Sequence, residues 1–420
     1  MMERNMIKEN KDRFDGGLSY VVKGSSVMNA VPAGESYRLP EKREYTQDQL
    51  MHLAKRFHNT KRTYLLVDPL QGKHIPVSPA ECLTMLRSLG GRLKEEFPET
   101  RLVVGFAETA TAIGAAVAEC MGRNCAYIQT TREEVPEVNS WIEFREEHSH
   151  ATEQKLSAEG FAAALDNTDT VIFVDDELST GKTLVNMIEQ LRAVFPQLCS
   201  KQIVAASIIN RMSDENIERL AMHGMICRQL LKIDNIDYTE TVNSFNICGA
   251  SDLPDGEIPE DIIKSAYLLK EEGSRTPRTG VVIGEYIDSI LARHSFITSE
   301  DSSMLPAGAD IAVIGTEECM YPGLIIAEEL ERSGRYDSVK FHATTRSPIG
   351  ICNDEDYPIF NGYKLQSFYE KGRQTFLYDL ARYDSVLIVT DSAPENMDAV
   401  TELERLLYHY GCREIIVERI

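Results

Sequence analysis

One segment constrains the chain more than any other. Val171-Ile172-Phe173-Val174 is an apolar run that leads straight into Asp175 and Asp176, and then into the small, hydroxyl-rich turn Glu177-Leu178-Ser179-Thr180-Gly181-Lys182-Thr183. Leu184, Ile188 and Leu191 continue at helical spacing beyond it. A buried parallel strand feeding a helix through a polar turn is the unit of an open α/β sheet, and such sheets bind ligands at the carboxyl ends of their strands. Backbone N–H groups from Thr180 to Thr183 would converge there on one anion, helped by the helix dipole and by the hydroxyls of Ser179, Thr180 and Thr183. Asp175 and Asp176 cannot hold that anion, because like charges repel. They suit sugar hydroxyls, directly or through Mg²⁺, which prefers oxygen ligands.

Two other nucleotide-site readings fail on spacing. A Walker A element would need Gly five positions before Gly181, and that position is Asp176. A Walker B strand ending in Val174-Asp175-Asp176-Glu177 would need a Walker A partner upstream, and no Gly-Lys pair in the chain has the right spacing. The segment instead resembles the signature of type I phosphoribosyltransferases, in which two acidic residues precede a small loop ending in Thr-Gly-Lys-Thr. The resemblance implies that Asp175 and Asp176 hold the ribose 2′ and 3′ hydroxyls of phosphoribosyl pyrophosphate, with Mg²⁺ as the metal. It implies that Thr180, Gly181, Lys182 and Thr183, beside Ser179, cradle the 5′-phosphate. Purine-salvage members carry Asp at the Ser179 position, so the resemblance points toward the orotate-type branch.

Composition fits such an enzyme. At 420 residues the chain is long for one domain, and its 43% hydrophobic content can fill more than one core. The formal net charge of −22 argues against a nucleic-acid or anionic-membrane surface. A pyrophosphate must then be held by local bases and metal against an adverse field. The nine Cys occur without Cys-x-x-Cys pairs, and there is no N-terminal apolar leader or apolar run near twenty residues. The expectation is a cytoplasmic protein with reduced thiols, Cys120 and Cys319 among them in the core.

Residues 1–40 are polar and aperiodic and are expected to form a flexible arm. Thr46 and Gln49 fit a capping box, and Leu50, Leu53, Ala54 and Phe57 then predict a helix with one apolar face. Tyr64-Leu65-Leu66-Val67 reads as a strand, and Ser78, Pro79 and Glu81 as the cap of the next helix. Leu102-Val103-Val104-Gly105 leads through Phe106-Ala107-Glu108-Thr109-Ala110-Thr111 into an Ala-rich helix, a second strand, turn and helix. Thr109, Ala110 and Thr111 would offer amides and hydroxyls to an anion, which in the resembled enzymes is the pyrophosphate. Glu108 is an odd neighbour for it. This residue would take Mg²⁺ or a cationic part of a co-substrate, or else serve the helix dipole as a first-turn Glu.

The strand Cys125 to Gln129 ends in Thr130-Thr131-Arg132, and a polar stretch without periodicity runs on to about Lys155. So long a loop reads as a lid that would exclude water from an oxocarbenium-like transition state. Arg132, a forked donor, is the expected pyrophosphate contact. Arg145, His148 and His150 are lid candidates; the two histidines are open to a metal reading or to a plain solvated one. Trp141 either moves with the lid or anchors it. Ile203 to Ile209 is a central strand, a helix covers about 216–222, and Ile226 to Ile233 closes the sheet. These bound a first domain at residues 41–240, a connector at 241–275 and a second α/β domain at 276–420.

The second domain parallels the first. Val313 to Glu318 matches Val103 to Glu108, Phe341 to Arg346 matches Tyr127 to Arg132, and Val386 to Asp391 matches Val171 to Asp176, in the same order and 210–215 residues apart. Its grip is lost, because Ser392-Ala393-Pro394-Glu395-Asn396 follows Asp391; Pro394 has no N–H and Glu395 opposes an anion. One site per chain is expected, in the first half, while Thr345-Arg346-Ser347-Pro348 keeps an anion-friendly turn.

Gly72 to Val77, Gly105 to Thr111, the acidic loop and Thr345 to Pro348 together look like the orotate-type phosphoribosyltransferases of bacterial tellurium-resistance and stress gene clusters, which carry a C-terminal domain named for Thr-Arg-Ser-Pro. The resemblance implies an α/β fold: a Rossmann-like parallel sheet with helices on both faces, plus a related second domain. It implies Mg²⁺-dependent formation of an N-ribosidic bond between phosphoribosyl pyrophosphate and a base-like acceptor, with release of pyrophosphate, in a protein that binds no nucleic acid or membrane and is commonly a homodimer. Two alternatives stay open: a regulatory module that holds a ribose phosphate without turnover, and a pyrophosphokinase-like enzyme, which also pairs two such domains.

Overall fold

A computed structural model describes residues 18–20, 43–59, 62–144, 154–256, 264–268, 276–298, 305–393 and 396–420. Two six-stranded sheets organise the chain. Strand β1 (Leu18–Tyr20) is followed by a one-turn helix, α1 (Gln47–Leu50), and by a hairpin of β2 (His52–Lys55) and β3 (Tyr64–Val67). The helix expected to run on from Thr46 therefore stops after one turn. Gln49 Oε1 does accept the Thr46 N–H at 3.0 Å, as a capping box requires. Beyond Leu50 the strand wins, because β3 supplies an antiparallel partner, with Ala54 opposite Leu65, that the local pattern does not reveal.

Helix α2 (Pro79–Glu96) starts at Ser78, whose Oγ accepts the Glu81 N–H at 3.4 Å. Then follow β4 (Leu102–Gly105), α3 (Thr111–Met121), β5 (Ala126–Gln129), a hairpin of β6 (Trp141–Phe144) and β7 (Gln154–Ser157), α4 (Ala158–Leu165), β8 (Thr170–Leu178), α5 (Lys182–Val194), β9 (Gln202–Asn210), α6 (Asp214–Met222) and β10 (Met225–Lys232). The strands align in the order β10-β9-β8-β4-β5, all parallel. Apolar residues fill β4 and the first five positions of β8 are buried, as strands covered on both faces require. The β8 ladder runs further than its apolar run, with Asp175 opposite Ser207 and Glu177 opposite Ile209, so the acid pair lies at a strand end and not in the turn.

After α7 (Thr239–Asn243), the second half comprises β11 (Lys264–Leu268), β12 (Val281–Val282), α8 (Ile283–Thr298), β13 (Asp310–Gly315), α9 (Met320–Arg332), β14 (Ser338–Ala343), a hairpin of β15 (Gly362–Gln366) and β16 (Gln374–Tyr378), β17 (Ser385–Thr390), α10 (Met397–His409) and β18 (Glu414–Arg419). Its parallel sheet has the order β1-β11-β18-β17-β13-β14. Two of these strands come from unexpected places: β1 from the arm and β11 from the connector. The rest of the arm to residue 42 lies outside the described residues.

The order β18-β17-β13-β14 repeats β9-β8-β4-β5, and each sheet carries a hairpin at the same point. The halves also lend each other an edge. Strand β12 pairs antiparallel with β5, Val281 opposite Tyr127, while Val77 exchanges backbone bonds of 3.0 and 2.8 Å with Phe341 of β14. One apolar core runs through both, joining Leu86 and Val117 to Leu324 and Phe341. Cys319 is part of it, Cys120 is buried as well, and none of the nine cysteines forms a disulfide. Among the described residues no helix is long and apolar enough to cross a membrane.

Candidate active site

Asp175 and Asp176 stand at the carboxyl end of β8, near the middle of the first sheet. Asp175 Oδ1 accepts the Asp176 N–H at 3.0 Å. Burial, and next the charge of Asp176, push the Asp175 carboxyl well above the usual range. Among the described residues no ion pair reaches either aspartate; the neighbouring Glu177 has its own cation, Arg211, which also donates to the Tyr64 hydroxyl at 3.1 Å. Arg56 adds to the field on Asp176 without pairing with it, and two adjacent carboxylates that no cation holds at ion-pair distance are the donor set that a hard divalent ion or a pair of sugar hydroxyls fits.

The turn beyond them is open. Gly181 caps α5 in the left-handed region at φ 68°, no side chain caps this helix, and Thr180, Lys182 and Thr183 are exposed. Among the described residues the N–H groups of Gly181, Thr183 and Leu184 have no protein acceptor, as the first donors of a helix commonly lack one, while the Lys182 N–H donates to Thr180 Oγ1 at 3.4 Å. Arg219 of α6 donates to Thr180 O at 2.6 Å and holds the turn from behind. Ser179 is half-buried at its rim.

The second turn, between β4 and α3, is built differently. Glu108 is buried, with Lys73 3.4 Å from its Oε1 and Arg346 Nε 2.8 Å from its Oε2. Burial alone would raise this carboxyl; Lys73 and Arg346 outweigh it and hold the group at about 2. Both oxygens are thus spent on protein cations, and α3 begins only at Thr111, so the helix-dipole role does not apply. Thr111 turns its hydroxyl to Glu108 O at 3.2 Å, Ala110 is buried, and Thr109 alone of the three is partly exposed. Lys73, only 2% exposed, donates to Thr109 Oγ1 at 2.6 Å. The role of Lys73 escaped sequence reasoning, although Gly72-Lys73 had stood out, because nothing local says which carboxylate it meets.

Arg132 follows β5. Its N–H donates to Glu318 Oε1 at 3.0 Å, and its exposed guanidinium has no protein partner among the described residues. It lies close enough to contribute to the positive field on Glu108. The expected lid is framed by β6 and β7. Trp141 opens that hairpin half-buried, with Lys155 Nζ 4.6 Å from its ring centroid, which is an anchor's geometry. Residues 145–153, including Arg145, His148 and His150, lie outside the described residues. Among the described residues no group of three or more His, Cys, Asp or Glu could hold a metal ion.

Residues 50–234 match the family model for phosphoribosyl transferase, and residues 286–407 match the model for the TRSP domain at the C terminus of that transferase. The chain carries a phosphoribosyl transferase domain followed by a TRSP domain. The transferase match encloses the acid pair, the β8–α5 and β4–α3 turns, Lys73 and Arg132; the TRSP match runs from α8 into α10. No curated protein matches the chain. Among solved structures, adenine phosphoribosyltransferase from Rhodothermus marinus is 15% identical over 44% of this chain and 96% of its own, with a TM-score of 0.32. The Giardia lamblia adenine enzyme complexed with 9-deazaadenine is 16% identical over 44% and 94%, at 0.31. Orotate phosphoribosyltransferase from Aeropyrum pernix is 16% identical over 46% and 90%, at 0.28. Likenesses this slight carry no argument about the acceptor.

Proposed function

We propose that this transferase joins phosphoribosyl pyrophosphate to a nitrogen acceptor with Mg²⁺ and releases pyrophosphate. The observation that carries the reading is the pairing, at the end of one strand, of two carboxylates that no cation reaches at ion-pair distance among the described residues with a turn where, among the same residues, the N–H groups of Gly181, Thr183 and Leu184 find no protein acceptor. Asp175 and Asp176 hold the ribose hydroxyls and favour positive charge developing near C1′. The amides of Gly181 to Leu184, with the hydroxyls of Thr180 and Thr183, hold the 5′-phosphate. Thr109 and Arg132 meet the pyrophosphate, Arg132 through its free fork. Mg²⁺, when bound at the aspartates, supplies charge neutralisation to the leaving group. The chain's own contribution is positioning and fixed electrostatics.

Pyrophosphate release from phosphoribosyl pyrophosphate, followed across a panel of nucleobases and small amines, tests the activity. Asp175→Asn and Asp176→Asn should each lower turnover at least tenfold, about 1.4 kcal/mol, because each replaces an oxygen that holds the ribose, and weakens the acidic pair that meets the developing cation. Wild-type rates in both variants would overturn the assignment. Tight binding without turnover for any acceptor would leave a ribose-phosphate binding module in its place.

A further inference from the structure

The two halves share more than strand order. Phe106 N donates to Val174 O at 3.1 Å, as Thr316 N does to Val389 O at 3.2 Å. Thr130 N reaches Gly105 O at 2.9 Å and Thr344 N reaches Gly315 O at 3.0 Å. Ala107 N donates to Thr130 Oγ1 at 2.8 Å, and Glu317 N to Thr344 Oγ1 at 3.0 Å. The pattern then crosses between halves: Arg132 N donates to Glu318 Oε1 at 3.0 Å, and Arg346 N to Glu108 Oε1 at 3.3 Å. Each half's arginine turn caps the other's glutamate turn, the reciprocal contact made by two subunits across a twofold axis.

The side chains break this symmetry. Arg132 keeps its guanidinium exposed, whereas Arg346 is 11% exposed and faces four carboxylates: Glu108 and Glu318 at 2.8 Å, Glu133 at 3.2 Å and Glu317 at 3.5 Å. Its donors are committed, so the Thr345 to Pro348 turn is not an anion site. Just beyond it, Phe57 N donates to Pro348 O at 2.9 Å and Gly350 N to Lys55 O at 2.8 Å, which stitches the same segment to the β2 end of the first-half hairpin. The second half has meanwhile filled its own former site. Tyr369 Oη donates to Asp391 Oδ1 at 2.5 Å, Arg278 pairs with Asp391, and Arg419 Nη1 donates to Ser392 O at 2.7 Å, where the first half leaves its turn open. Pro394 and Glu395 lie outside the described residues.

We propose that the TRSP half is a built-in partner subunit, and that Arg346 is the positioning residue through which it fixes the Glu108 to Thr111 turn of the transferase half. The proposal rests on the reading of that turn as the pyrophosphate side of the site. Glu108 is buried and charged, and among the described residues its own half offers it only Lys73 at ion-pair distance. Without Arg346 it would keep Lys73 as its counter-charge and stand against the charge of Glu317, which Arg346 otherwise bridges to it. The turn would then move and carry Thr109 away from the leaving group.

Arg346→Met and a control, Arg373→Met, test this in the full chain. Arg373 binds Glu133 at 2.7 Å and Glu317 at 3.0 Å in the same cluster but does not touch Glu108. In the ligand-free protein, hydrogen exchange at Ala107 and Ala110 should speed up at least tenfold in Arg346→Met and stay unchanged in Arg373→Met. Calorimetry with Mg²⁺ and inorganic pyrophosphate should show affinity at least tenfold weaker in the first variant alone, and partly restored in Arg346→Lys. Glu108→Gln breaks the same pair from the other side and must loosen the turn likewise, so it carries the test where Arg346→Met does not fold. Unchanged exchange in whichever variant folds overturns the proposal, as does an equal loss of affinity in the Arg373 control. If the wild type binds no pyrophosphate, the transferase reading falls, and the exchange experiment still decides whether Arg346 positions the turn.

Discussion

Replacing Gly181 with Ala probes the phosphate turn where its geometry is tightest. A left-handed φ of 68° costs a residue with a Cβ about 1–2 kcal/mol. The added carbon would also lie 2.4 Å from Leu220 Cδ1 and 3.1 Å from Met212 Sδ. Leu220 is completely buried in α6 and cannot swing into water, so the collision resembles overpacking of a core, worth about 1–3 kcal/mol. The two effects together predict a loss of roughly 2–5 kcal/mol. The obstruction lies behind the turn, against α6; the phosphate would be lost because the turn is displaced. Urea unfolding of the single variants and of Gly181→Ala with Leu220→Ala separates the causes, since removing Leu220 abolishes the collision and leaves the backbone penalty. In that background the glycine substitution should cost only about 1–2 kcal/mol. Equal costs in both backgrounds, or a total below about 1 kcal/mol, would refute the reasoning.

Three further outcomes are expected. Burial holds the Asp68 carboxyl up at about 7 from 3.8, with Oδ2 lacking a partner, so the folded state keeps a proton that the unfolded chain releases. Stability should therefore fall as pH rises through the window from about 4 to 7, by an amount on the order of 4 kcal/mol. Asp68→Asn keeps an acceptor for the Leu70 N–H and cannot ionise, so in urea titrations it should exceed the wild type at pH 8 and converge with it near pH 4; parallel pH profiles would sink the idea. Asp391→Asn should lower stability by about 3 kcal/mol, because buried Arg278 loses an ionic partner, yet leave affinity for phosphoribosyl pyrophosphate unchanged, whereas Asp175→Asn should abolish it. Equal losses of affinity by titration calorimetry would mean two working sites. Gly91 sits inside α2 with open space where a Cβ would stand, so Gly91→Ala should raise the unfolding free energy by about 1 kcal/mol, and a loss would show that space to be filled.

Much of the transferase half was legible because its determinants are local. The apolar run of β8, the acid pair at its end, Gly181 before α5 and Ser78 before α2 act on neighbours within a few residues, and strand and helix periods declare themselves over such distances. Even the order of the second half could be anticipated, since its segments echo the first. What required the tertiary structure were partners far away in the chain. Leu53 and Ala54 look helical until β3 offers them a ladder. Leu18–Tyr20 and Lys264–Leu268 look like arm and connector until the second sheet gives them an edge. Arg346 looks like an anion ligand until the fold sets it against Glu108, 238 residues away. A buried charge takes its role from whichever opposite charge shares its low-dielectric surroundings, and only the packing of the two halves decides which one that is.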